Sequence, residues 1–290
     1  MSDARSVVIS GRFGRLGRAL AATASPPVDG WDQPELDLDD PEACAGLVRA
    51  HRPRLVIHTA AMTAVDQAAR EPALAMRRNG EATGAIAGAC GEVGSKLVLI
   101  STNEVFDGER SDGRGYAEDD PTGPRSAYGA SKLAGEMAAR AAFGDEHGLT
   151  IVRTAWLYGP PGNDFPDKIT AAADRIEGPL PVVADEIGSP TYVVDLARAI
   201  WELVARVEGG TFHLVNAGSA SRLEWAEAVF EVRRPGRETR AISASEFERA
   251  SEPPRWGILD TSRAASAGVT MRPWQEALTE YLHEAPSEQP

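Results

Sequence analysis

Lysine is scarce in this sequence: of 30 basic residues, only Lys96, Lys132 and Lys168 are lysines. Cysteine is scarcer still. Cys44 and Cys90 are far apart, with no C-x-x-C pair and no neighbouring histidine cluster, which excludes a disulfide framework and suggests no metal site. No run of eighteen or more apolar residues occurs, so no membrane-spanning helix is expected. The chain enters the strand-like "SVVIS" without a basic-then-apolar leader, and a soluble cytoplasmic protein is the expectation. Excess positive charge is missing as well. With a formal charge of −13, the surface lacks the clustered Lys and Arg that displace counterions from nucleic acid, so no nucleic-acid partner is expected. What is present is ample apolar content, 42% of 290 residues, enough to bury a full core.

Short β-branched runs alternate with longer helical patterns through the first half: residues 6–10, 54–58, 96–100 and 150–154, separated by Ala-rich segments. Near-continuous apolar strands spaced by helices predict an α/β fold, a parallel sheet covered on both faces. Helices are expected at 15–23, 41–51, 72–92 and 127–143, and later at 191–206, 221–231 and 272–283. Ser189 or Thr191 is the expected cap beside Pro190. Between residues 25 and 38 three prolines and a glycine predict a short or displaced second strand. The expected organisation is a nucleotide-binding domain over 1–155 and a smaller lobe woven from 156–290, with 191–216 returning to the first. The tail from His283 onward is expected to fray.

The first strand runs into "SGRFGRLGRAL", giving Gly11, Gly14 and Gly17 before an apolar helix. Glycines allow the tight turn and the close approach of backbone to a pyrophosphate, and the helix N-terminus turns free N–H groups toward it. "LDLDD" follows about 20 residues on, where an acid meeting the adenosine ribose falls, which nominates Asp37 and Asp39. Asp39 or Asp40 could equally cap the helix that begins at Pro41. An acid there disfavours a 2′-phosphate while Arg12 could accept one, so NADH and NADPH both stay open. After the third strand, "HTAAMTAVD" offers Ala60 and Ala61, small enough to leave room for a cofactor, and Thr63, able to donate to a sugar or phosphate.

"YGASKLAGE" places Tyr128 and Lys132 at i and i+4 on one helix face. An ammonium there favours the phenolate, lowering a pKa that starts near ~10 and making the phenol a usable proton donor or acceptor. The same ammonium could hold the nicotinamide ribose. Upstream, "ISTNEVFDG" brings Ser101 and Thr102 to the carboxyl edge of the sheet, where Thr102 could hydrogen-bond the reacting oxygen.

Together these stretches resemble the extended short-chain dehydrogenase/reductase superfamily, and within it the dTDP-4-dehydrorhamnose reductase family. The likeness runs from "GRFGRLG" through "STNEVFDG" and "AYGASKLAGE" to "RTAWLYGPPGNDF" and "VVADEIGSPTYVVDLA". It implies a Rossmann-type doubly wound sheet with a smaller C-terminal sugar-nucleotide lobe. It also implies hydride transfer from NADPH or NADH to a nucleotide-linked 4-keto-6-deoxy sugar, with Thr102, Tyr128 and Lys132 as catalytic trio. Arg12, Phe13, Ala60, Ala61 and Thr63 would line the cofactor; Thr63, Glu104 and Trp156 would meet the substrate. The family usually reads Ser-Thr-Asp-Tyr-Val-Phe where this chain has Asn103 and Glu104, so a carboxylate replaces a tyrosine. Ala19 stands where some metal-linked dimeric members carry glutamate, so a homodimer here would not be magnesium-bridged. Two alternatives stand beside the reductase: a cofactor-binding regulatory module, and a nucleotide-sugar epimerase or dehydratase using Glu104 as acid or base.

Overall fold

The computed structural model describes residues 6–25, 27–144 and 147–284. Its first half alternates strand and helix: β1 (Val7–Ser10), α1 (Arg15–Thr23), β2 (Asp29–Trp31), α2 (Pro41–His51), β3 (Leu55–His58), α3 (Val65–Arg70), α4 (Pro72–Ala75), a π-helical turn (Met76–Glu81), α5 (Ala82–Val93), β4 (Lys96–Thr102), α6 (Ala127–Phe143) and β5 (Leu149–Thr154). The later elements are β6 (Leu157–Tyr158), α7 (Phe165–Arg175), β7 (Leu180–Val183), β8 (Ile187–Gly188), β9 (Thr191–Tyr192), α8 (Val193–Val204), β10 (Gly210–His213), β11 (Ala220–Ser221), α9 (Arg222–Arg233), β12 (Thr239–Ile242), α10 (Ser262–Ser266) and α11 (Trp274–Glu284).

Six strands form one parallel sheet in the order β10-β5-β4-β3-β1-β2. Alternate residues of each strand point to opposite faces, and both faces are buried. Val7 and Ile9 join Leu16 and Leu20 of α1 and Leu196 and Ile200 of α8 on one side. Val8, Val56 and Leu97 join Val48 of α2 and Ile86 of α5 on the other. Each such fully buried aliphatic side chain contributes about 1.5–3 kcal/mol relative to exposure. The chain reverses between β3 and β1, so the carboxyl ends of β1, β3 and β4 open onto the crevice where such sheets hold ligands.

β10 and α8 belong to the sheet layer, while α7, α9 and α11 pack around Tyr158, Tyr192, Trp225 and Tyr281 in a second core. We propose a division on that basis: a sheet domain that recovers α8 and β10, and a smaller lobe from the rest of the second half. β2 forms in its ordinary place beside β1 but is only three residues long, the prolines restricting both of its ends.

Two expectations need correction. The helix expected over 72–92 is not continuous: α4, a π turn and α5 follow one another, and the wider turn rotates Asn79 into the interior. Neither Ser189 nor Thr191 caps α8; Tyr192 occupies the cap position without a side-chain bond, because Thr191 Oγ1 instead donates to the Ser189 carbonyl. The tail beyond residue 284 lies outside the described residues.

Candidate active site

The turn after β1 is shaped by what cannot fit beside it. Gly11 adopts φ +71°, and a Cβ there would sit 2.8 Å from the Ala60 amide nitrogen; one at Gly17 would lie 2.1 Å from the Gly11 carbonyl oxygen. The β1 and β3 turns therefore touch through backbone, and α1 begins directly on the turn. Gly14 is the N-cap of α1 and offers no side-chain cap, so it leaves the first-turn N–H groups without a capping acceptor. Phe13 lies exposed on the same turn, and the Arg12 side chain runs across Gly30 of β2. Ala60, Ala61 and Thr63 form the facing loop, held by Asn79: its Oδ1 accepts from the Met62 amide (2.8 Å) and its Nδ2 donates to the Met62 carbonyl (3.0 Å).

The acid hydrogen-bonded to the glycine turn is Asp32, whose Oδ2 accepts from the Phe13 amide at 2.8 Å. Asp37 accepts from the Asp39 amide, and Asp39 forms a bidentate pair with Arg78 that holds its carboxyl below the ordinary value. Asp40 caps α2 through the Ala43 amide. Asp32 lies 21 residues after Gly11, and Asp37 and Asp39 lie 20 and 22 after Gly17, so a count of about 20 reaches either, and only Asp32 directly follows β2. An acid directly after that strand was the available signal.

α6 starts where Ser126 Oγ accepts from the Gly129 amide at 2.9 Å, and its first turns carry Tyr128 and Lys132. A Cβ at Gly129 would fall 2.1 Å from the Glu104 carbonyl oxygen, so the helix start seats against the turn that follows β4. This packing brings Tyr128 beside Thr102, whose hydroxyl acts on the phenol in favour of the phenolate. The expected lowering of the Tyr128 pKa is nevertheless not what the structure gives. Burial, with the Glu104 charge next, pushes the phenol well above its ordinary value, so in the free protein it is a protonated donor. Lys132 is buried, and desolvation brings it down to about 8 against the opposing pull of Glu136.

Several supporting residues escaped the sequence reading. His58, at the end of β3, shares hydrogen bonds with Ser10 Oγ (2.6 Å) and Thr83 Oγ1 (3.2 Å); burial, then the Lys132 charge, brings it down to about 3, so the ring is neutral. Glu136, one turn beyond Lys132, is fully buried and accepts from Arg153 Nε and Nη2 at 3.0 and 2.8 Å. Ser131 Oγ accepts from Asn79 Nδ2 at 3.0 Å and donates to the Tyr128 carbonyl, tying the cofactor-side loop to α6.

On the small-lobe side the Glu104 carboxylate accepts from Ser126 Oγ at 2.6 Å. Arg249 pairs with the buried Glu186, and Arg222 lies 3.7 Å from the same carboxylate with its guanidinium 3.6 Å from the Trp156 ring centroid. Trp156 stacks on Trp225 at 5.6 Å. Glu186 and Arg249 also line a cleft of about 750 Å³ with Phe247, Arg255 and Trp256. Thr102, Glu104 and Tyr128 thus meet where the start of α6 packs on the end of β4, with Lys132 one turn further along α6. The glycine turn faces the loop of Ala60, Ala61 and Thr63, and Trp156 lies between Arg222 and Trp225 in the small lobe.

Known proteins resemble this chain along nearly its whole length. The chain is 40% identical over 285 residues to a dTDP-4-dehydrorhamnose reductase of Streptomyces griseus, covering 94% of this chain and 91% of the other. It is 38% identical over 282 residues to a probable dTDP-4,6-dihydroxy-2-methyloxan-3-one 4-ketoreductase of Streptomyces antibioticus, covering 94% and 93%. Among solved structures, the dTDP-4-dehydrorhamnose reductase of Bacillus anthracis in complex with NADP superposes with a TM-score of 0.87 at 34% identity, covering 98% of this chain and all of that one. The family model described as the RmlD substrate binding domain matches residues 5–286, and the chain belongs to that family.

Proposed function

We propose that this protein reduces the 4-keto group of a nucleotide-linked 6-deoxy sugar, in the manner of a dTDP-4-dehydrorhamnose reductase, using NADPH or NADH. The observation that carries the reading is the seating of Tyr128 and Lys132 on the first turns of α6, against the Thr102 end of β4 and in the crevice that the glycine turn borders. The turn fits a dinucleotide, since its glycines leave no side chain between backbone and ligand and the start of α1 has no side-chain cap to occupy its N–H groups. Bound NAD(P)H supplies the hydride. Gly11, Gly14 and Gly17 would meet its pyrophosphate, with Arg12 and Asp32 at the adenosine ribose and Ala60, Ala61 and Thr63 along the opposite wall.

Tyr128 gives its phenolic proton to the oxygen that becomes the hydroxyl, and Thr102 Oγ1 hydrogen-bonds that oxygen. Lys132, cationic below about pH 8, holds the ribose and offsets the phenolate left behind. Acid assistance of this kind is worth ~100-fold to 10,000-fold in rate. Trp156 and the arginines of the small lobe would form the sugar-nucleotide side. We read the protein as cytoplasmic, in keeping with two free buried thiols, and light scattering will decide whether it is a homodimer. Incubation with NADPH and dTDP-4-dehydrorhamnose tests the function: loss of NADPH absorbance with formation of dTDP-rhamnose supports it. Tight NADPH binding without turnover would favour a regulatory module.

A further inference from the structure

We propose that Glu104 is a base toward the carbon next to the keto group, so that the same site enolises its sugar, exchanging and inverting that carbon, as well as reducing it. The proposal rests on the reading of the substrate as a 4-keto sugar. Glu104 is fixed through its backbone to two catalytic neighbours. Its amide donates to Thr102 Oγ1 (3.2 Å), and its carbonyl oxygen presses on Gly129, next to Tyr128. Its carboxylate accepts from Ser126 Oγ at the cap of α6, and its charge reaches the Tyr128 phenol that would meet the substrate carbonyl.

The state of that carboxylate differs from that of its structural counterparts. Glu136 and Glu186 are buried in close pairs with Arg153 and Arg249. Glu104 has no cation within ion-pairing distance among the described residues; Ser126 Oγ donates to Oε2, and Oε1 has no donor among those residues. Arg222 and Arg249, whose charges reach it, are engaged by Glu186. Burial holds Glu104 above the ordinary carboxylate range, which increases its basicity.

The chemistry balances with water as the one co-reactant. A C–H bond beside a carbonyl is acidic because its electron pair can move into a carbon–carbon double bond as the carbonyl pair moves onto oxygen. The Thr102 and Tyr128 hydroxyls placed for reduction are the donors that an enolate oxygen needs. Glu104 takes the proton on Oε1 and returns it to the same face to restore the ketone; inversion follows when a water on the opposite face protonates the carbon and the hydroxide left behind takes the proton from Glu104. No electron leaves the sugar. An unreduced pair of this kind would couple epimerisation to the reduction that follows.

The test uses the full chain in deuterium oxide with dTDP-4-keto-6-deoxy-D-glucose and no reduced cofactor, following deuterium at C3 and C5 by proton NMR against an enzyme-free control. Deuterium entering either position well above the control is expected. In Glu104→Gln exchange should fall ~100-fold or more, and by a larger factor than NADPH oxidation on dTDP-4-dehydrorhamnose. Unchanged NADPH affinity would show that the variant is folded. Reduction without exchange in the wild type overturns this proposal and leaves the reductase intact, as does exchange that survives in Glu104→Gln. Absence of both activities removes the keto-sugar reading itself, and the proposal with it.

Discussion

Lys132 and His58 are a cation and a neutral ring, both buried at the carboxyl ends of the sheet, and their titrations leave opposite marks. Burial lowers Lys132 to about 8, so kcat/KM should decline above about pH 8 as the ammonium that holds the ribose is lost. The pH profile of Lys132→Met, at its much lower level, should lack that limb. For stability the direction reverses: between about 8 and its ordinary 10.5 the unfolded chain binds the lysine proton and the folded chain does not, so unfolding becomes harder as pH rises. His58 is held down to about 3, so between there and 6.5 the unfolded chain takes up a proton that the folded one refuses. Stability is then lost as pH falls, and His58→Gln should reduce the difference between urea unfolding at about pH 4 and about pH 7. The Tyr128 phenol, raised by burial and by Glu104, shows why an i, i+4 spacing alone misjudged its acidity: sequence places the ammonium but not the desolvation.

The start of α6 is the element on which the chemistry depends, and a single hydrogen atom at Gly129 keeps it in place. A Cβ there meets the Glu104 carbonyl, so Gly129→Ala should cost about 1–3 kcal/mol in urea unfolding and lower turnover further by displacing Tyr128 from Thr102. α6 itself was readable residue for residue, because Ser126 caps it and an Ala-rich run follows before Gly144. β1, β3, β4 and β5 were readable too, since apolar runs buried on both faces leave little ambiguity. The π turn was not. A hydrophobic period close to helical hid the one-residue widening that turns Asn79 inward, and nothing local marks an asparagine that bonds across to residues 62 and 131. Glu186, Arg222 and Arg249 were illegible for a related reason: their meeting depends on the packing of separate short strands and loops in the second half.

Across the whole molecule, Arg15 joins the cofactor side to the small lobe. From the first position of α1 it donates to the carbonyls of Gly159 (3.1 Å) and Gly162 (2.6 Å), and Asp66 accepts from Ser251 on the other flank of the crevice. Arg15→Ala should speed amide hydrogen exchange around residues 157–162 and raise the KM for the nucleotide sugar more than it lowers kcat. NADPH at a hundredfold excess over its Kd should stabilise the folded protein by about 2.7 kcal/mol, read as a rise in melting temperature. Reduction depends most directly on the phenol at 128, and the decisive measurement is the steady-state rate of NADPH oxidation by Tyr128→Phe with dTDP-4-dehydrorhamnose. A fall of ~100-fold to 10,000-fold in kcat with unchanged NADPH affinity is the predicted result. Turnover at the wild-type rate would contradict it.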